Sequence, residues 1–182
     1  MESIVDDMLS EISICLMGIP GNDVESFLNT IKKTNRVFML GAGRSGLVVK
    51  MAAMRLMHLG CTVHVVGETT CPSIQSGDTL LIVSGSGKTP GIITSAIKAE
   101  ELGAKVISVT CNSSSLLSQH VHQQVVLKAA IKDEHENPLS IQFAGTLFEQ
   151  SALLFLDSIF HALWKKSGQA ASALWSRHTN ME

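Results

Sequence analysis

The chain has 182 residues, of which 45% are hydrophobic and only 16% charged, and its formal net charge is -2. That length fits one domain with a sizeable core, and dispersed Lys and Arg residues in a near-neutral chain exclude the basic field that nucleic-acid binding needs. Charge this sparse is low for a monomer surface, so part of the surface is expected to lie against other subunits. The four cysteines, Cys15, Cys61, Cys71 and Cys111, include no CxxC. Reduced thiols in a cytoplasmic protein are therefore expected, with no metal site. The opening MESIVDDMLSEI is acidic and amphipathic and does not read as a signal peptide. No apolar stretch reaches membrane-spanning length without polar interruption, so no membrane partner is expected.

Helical spacing of Ile4, Met8, Ile12, Cys15 and Leu16 predicts a first helix over 4–17, and Pro20-Gly21-Asn22 breaks it. A second helix is predicted over 23–33, with Val24, Phe27, Leu28 and Ile31 at core spacing. Arg36-Val37-Phe38-Met39-Leu40 reads as a short buried strand that runs into Gly41-Ala42-Gly43-Arg44-Ser45-Gly46 and a helix to about Leu59, with Gly60 as a left-handed cap. A second strand over 62–66 leads to Gly67-Glu68-Thr69-Thr70-Cys71-Pro72. The apolar run Leu80 to Val83 is a third strand, followed by Ser84-Gly85-Ser86-Gly87-Lys88-Thr89 and a helix through Leu102.

Residues 105–110 form a predicted fourth strand, 111–120 a serine-rich loop with a short helix, and 121–128 a fifth, partly exposed strand. Residues 129–141 are polar and irregular. A long helix is predicted over 144–165, from Leu147, Leu154, Phe155, Ile159, Leu163 and Trp164, and a last short one over 171–176. Strands alternating with helices argue for an α/β fold, a parallel sheet with helices on both faces and functional loops at the carboxyl ends of the strands.

Two such loops carry chemistry. GAGRSG matches the dinucleotide fingerprint GxGxxG in its strand-to-helix setting, with Glu68 about where a ribose-binding acid would stand. A nicotinamide enzyme is thus one reading, although such a domain has no use for SGSGKT after the third strand. That second loop imitates a phosphate-binding GxxxxGKT, but the position of the first glycine is Ile82, inside the strand, which argues against an ATPase. Backbone N–H groups at a helix start, beside the hydroxyls of Ser84, Ser86 and Thr89, suit an anion. A solvent turn with a serine cap is the plainer alternative.

The loops, taken with Met54-Arg55-Leu56-Met57-His58-Leu59-Gly60, Val66-Gly67-Glu68-Thr69-Thr70, Gly145-Thr146-Leu147-Phe148-Glu149 and Arg177-His178-Thr179-Asn180, resemble the SIS (sugar isomerase) domain family. Within it the chain is similar to the 6-phospho-3-hexuloisomerases, from about residue 3 onward. The resemblance implies one SIS domain over 1–182, a three-layer sandwich with a five-stranded parallel sheet of flavodoxin-like form. Helices within 4–33 and 144–176 would pack on the sheet or on neighbouring subunits of a homotetramer. It implies interconversion of D-arabino-hex-3-ulose 6-phosphate and D-fructose 6-phosphate, a step of formaldehyde fixation in the ribulose monophosphate pathway, with no cofactor. Ser84, Ser86 and Thr89, with Ser45, would bind the sugar phosphate while Gly85 and Gly87 keep the backbone close; Arg44 and Lys88 belong to the same loops. Glu149 matches the proposed base. The tail RHTNME departs from the common RHANLE, which leaves open another phosphosugar; a sensor of this family that binds a sugar phosphate without turnover is a separate alternative.

Moving a ketone between C3 and C2 requires proton abstraction at C2, a cis-enediol and proton return at C3, which one carboxylate facing both carbons can serve. Glu149, at the start of the long helix, is the candidate; its plainer role is to favour the helix dipole. Oxyanion donors would be His58 or His178, with Arg44 and Arg55 as alternatives. His58 at a helix end can equally cap carbonyls, and His178 can belong to a tail. Glu68 and Thr69 either contact sugar hydroxyls or cap their loop. His64, His120, His122 and His135 are read as structural or surface residues, and Met51, His161 and Trp164 as helix packing.

Overall fold

The computed structural model describes residues 2–129 and 140–181. Most of the irregular segment expected over 129–141, His135 included, lies outside the described residues. The strands are β1 (Val37–Gly41), β2 (Val63–Val65), β3 (Thr79–Val83), β4 (Lys105–Thr110) and β5 (Gln123–Val126), all parallel in the order β2-β1-β3-β4-β5. β3 is central and buried throughout, which is why its sequence TLLIV shows no polar alternation.

Alternate strand residues feed two cores. Met39, Leu81, Val83, Ile107 and Val109 point to one side, under α1 (Glu2–Met17), α2 (Gly21–Lys33), α3 (Arg44–His58) and α5 (Thr146–Ser167). Phe38, Leu80, Ile82 and Val106 point to the other, under α4 (Pro90–Glu101) and a 3-10 turn at Leu117–His120. The result is the expected three-layer α/β sandwich. Phe27 of α2 meets Phe155 of α5 edge-on, 5.3 Å between centroids, so the second helix packs within the chain. Truncating such a buried ring costs about 3–5 kcal/mol. The short α6 (Ala171–Trp175) docks beyond α5.

Some boundaries differ from expectation. Gly21 and Asn22 open α2 with Pro20 as its cap, because a proline is tolerated where no intrahelical N–H is needed. β5 begins at Gln123 because the His122 ring Nδ1 accepts the Val106 amide at 3.1 Å, filling a place that a ladder carbonyl would take. Met51, read as a packing residue, is half-exposed on the outer face of α3.

The strand order decides where function can sit. The chain leaves β1 through α3 toward β2 and leaves β3 through α4 toward β4, on opposite faces and in opposite directions. A crevice must open at the carboxyl ends of β1 and β3, and it brings the two glycine-serine loops side by side.

Candidate phosphosugar site

The first loop turns tightly from β1 into α3. A Cβ on Gly41 would stand 2.7 Å from the Ser45 carbonyl oxygen, and one on Gly46 would stand 2.9 Å from that of Gly41, so only glycine permits this approach. The second loop is pinned from beneath. The Ser84 amide donates to Val109 O, and the Cys111 amide and Thr110 Oγ1 donate to Gly85 O. Leu117 N–H donates to Gly87 O, and the Lys88 amide closes a small turn onto Ser86 Oγ at 3.3 Å. These bonds take up the Gly85 and Gly87 carbonyls and the Ser84 and Lys88 amides, so the loop is held in place by its own chain.

Between the loops lies a cavity of about 170 Å³ walled by Ser45, Ser84, Gly85, Ser86 and Thr89, with Gly43, Ile92, Gly145 and Phe148. The amino ends of α3, α4 and α5 all contribute to it: Gly43 and Ser45, Thr89 and Ile92, Gly145 and Phe148. Helix amino ends present unpaired N–H groups and partial positive charge, so the cavity favours an anion. Ser45 and Ser84 are buried, which keeps their hydroxyls from competing water.

Glu149 stands in the first turn of α5, next to the Phe148 wall, with 4% of its surface exposed. Its Oε2 meets Arg44 Nε at 2.7 Å, and Arg44 Nη1 donates to Thr146 Oγ1 at 3.4 Å. Thr146 Oγ1 donates to Phe143 O at 2.6 Å. An acid that merely favoured the helix dipole would gain nothing from such burial. The Arg44 side chain is 59% exposed, so the pair joins a buried carboxylate to the solvent side of the site.

Other sequence-predicted residues are distributed differently. Lys88 is exposed on its loop, and Glu68 pairs with Lys50 at 2.7 Å on the same sheet edge, with Thr69 exposed beside it. His58 and His178 come together, their rings stacked 5.1 Å apart at 11° with Trp175 against His178. Arg177 holds the arrangement by donating to His58 O at 3.0 Å. Burial, then the neighbouring His178 and Arg55 charges, push the His58 imidazole below its ordinary pKa. The stack, however, sits at the carboxyl end of α3, and a helix of 15 residues spans roughly 21 Å. Within one chain it is therefore remote from the cavity.

Among the described residues three other histidines have packing or surface partners: His64 with Phe38, His120 with Glu100, and His161 with Trp164. Sequence reasoning did not single out Phe148, Gly145 or Ile92 as cavity walls, nor the bond between Arg44 and Glu149. Adjacency of Phe148 to Glu149 was the available signal, but its bearing needed the crossing of α3 and α5. Among the described residues no cluster of three or more His, Cys, Asp or Glu side chains is placed to hold a metal.

The sequence model of the SIS domain matches residues 30–154, a span that holds both loops and Glu149. The chain belongs to the SIS domain family. Relatives of this SIS domain include a 3-hexulose-6-phosphate isomerase of Mycobacterium gastri, 47% identical over 152 residues, covering 84% of this chain and 76% of that one. Another of the same name, from Bacillus subtilis, is 35% identical over 98% of this chain and 97% of its own. A crystal structure from Methanococcus jannaschii, for which a 3-hexulose-6-phosphate isomerase function was inferred, superimposes with a TM-score of 0.85 at 30% identity. It covers 99% of both chains.

Proposed function

We propose that the chain interconverts D-arabino-hex-3-ulose 6-phosphate and D-fructose 6-phosphate. The observation that carries this reading is a small anion cavity at three helix amino ends with the buried Glu149 carboxylate one residue from its wall. The names of its relatives supply the substrate.

In this reading the phosphate sits among Ser45, Ser84, Ser86 and Thr89, and the sugar carbons extend toward α5. Glu149 removes the C2 proton of the 3-ketose; the C2–H pair becomes the C2=C3 bond as the C3=O π pair moves onto O3; the O2 proton passes to O3, and as the C2=O bond forms the C2=C3 pair takes the proton back from the same carboxyl at C3. The Arg44 guanidinium stands beside the reacting carboxylate, where it also steadies charge that develops on the enediol oxygens. The nicotinamide reading fits less well. Pockets for larger ligands run to about 300–1,000 Å³, whereas this cavity is about 170 Å³.

The His58 and His178 pair can meet the sugar only if another subunit brings it close, whereas Glu68 and Thr69 lie on the same sheet edge as the cavity without lining it. The reading also includes a homotetramer with sites near its interfaces, a cytoplasmic location and a step in formaldehyde fixation. An assay with D-arabino-hex-3-ulose 6-phosphate that detects fructose 6-phosphate directly tests it. Turnover by the wild type and its loss in Glu149→Gln are expected. Folded protein that binds phosphosugar without turnover would move the assignment to a sensor.

A further inference from the structure

A carboxylate outside the site holds the segment that leads into it. Glu11 lies on α1, ahead of the residues that match the SIS domain. Its Oε2 accepts hydrogen bonds from Ser140 Oγ at 2.9 Å and Gln142 Nε2 at 3.0 Å, and its Oε1 accepts one from the Ile141 amide at 2.8 Å. Ser140 Oγ in turn accepts from the Gln142 amide at 3.0 Å. The next residues are Phe143, whose carbonyl receives Thr146 Oγ1, and Ala144, which has the uncommon φ of +49°. Gly145, Phe148 and Glu149 follow.

Among the described residues, apolar side chains do little to pack this segment, although Ser140 and Gly145 themselves are buried. Ile141 is 69% exposed and Phe143 90%, so the apolar side chains that would ordinarily fix a helix entry are in water. A non-glycine residue at positive φ persists only where its surroundings impose it. Three bonds to one carboxylate supply that constraint. α1 itself is held independently, since Ile12 and Cys15 are buried in the core, and so is the body of α5, through Ala152, Phe155 and Leu156. Loss of Glu11 therefore loosens the entry to α5 without undocking either helix.

We propose that Glu11 is a positioning residue for the isomerisation: it fixes segment 140–145 and thereby sets where Glu149 and the Phe148 wall stand relative to the phosphate. The proposal rests on the reading of Glu149 as the base. Its contribution belongs chiefly to proton transfer, because the serine loops that form most of the phosphate cavity are anchored elsewhere and only its Gly145 and Phe148 side moves with the segment.

The test compares wild type, Glu11→Ala and Glu11→Gln, each also on a Glu149→Gln background. Glu11→Ala is expected to lower kcat by about tenfold to a hundredfold, the usual effect of a small misplacement of reacting groups. Competitive inhibition by inorganic phosphate weakens far less than kcat falls, and the thermal midpoint stays close to wild type. Glu11→Gln, which keeps the acceptor for the Ile141 amide, recovers part of the rate. With Glu149→Gln already present, Glu11→Ala adds little further loss. An unchanged kcat, or phosphate affinity and thermal midpoint falling together with it, overturns the proposal. If the wild type itself shows no turnover, the isomerase reading fails instead. Amide exchange then decides the anchor: faster exchange over 141–149 in Glu11→Ala supports it, and unchanged exchange overturns it.

Discussion

Glu149 and His58 are both buried ionisable residues, and each carries a test of what its burial does. Glu149 occupies a helix first turn, where a carboxylate is favourable anyway, but there it is 4% exposed and joined to Arg44. Substituting Gln preserves its shape and removes the proposed base. We expect kcat to fall by about a hundredfold to ten-thousandfold, with phosphate inhibition nearly unchanged. Equal losses in both would mean that Glu149 shapes the pocket and does not move the proton. His58 supplies a pH prediction. Burial first, then His178 and Arg55, hold its folded pKa below the unfolded value of about 6.5. In the window between those two pKa values the unfolded chain binds more protons, so stability falls as pH falls through it and levels off below the folded pKa. Denaturant midpoints followed from pH 7.5 downward should drop more in wild type than in His58→Gln. Parallel curves would show that His58 does not titrate with folding.

At the scale of elements, the two loops were legible because glycine and hydroxyl residues at a strand-to-helix junction have few other uses. The shape of the second loop depends on Gly87. Its φ is +61°, and a Cβ there would run into Ser115 Oγ from the loop after β4. Gly87→Ala should cost about 1–3 kcal/mol in strain and weaken phosphate inhibition, read by thermal melting and by competition kinetics. A variant with wild-type melting and phosphate affinity would show that the loop adapts without cost. Strand and helix identities followed from hydrophobic period, whereas the ends of β5 did not. Its start turns on one ring nitrogen of His122 accepting the Val106 amide, a side-chain bond with no trace in periodicity.

The whole molecule leaves apolar surface uncovered. Leu47, Met51 and Met54 recur along the outer face of α3 at 62%, 52% and 55% exposure, and Val5 and Leu9 are likewise exposed on α1. Such a stripe is the surface that the proposed association of subunits would cover, in keeping with the low charge of the chain. Met51→Asp should shift sedimentation toward a smaller species with unchanged circular dichroism; an unshifted boundary would place the interface elsewhere. By itself the sequence determined the class of fold, the two anion loops and the candidate base, because hydrophobic period and local turn chemistry act between residues near in the chain. The tertiary structure alone decided the rest. The order of strands set β1 beside β3, the crossing of α3 and α5 joined Arg44 to Glu149, and the length of α3 carried His58 and His178 away from the cavity. Those outcomes depend on how distant segments pack against one another, and no local pattern of residues specifies that.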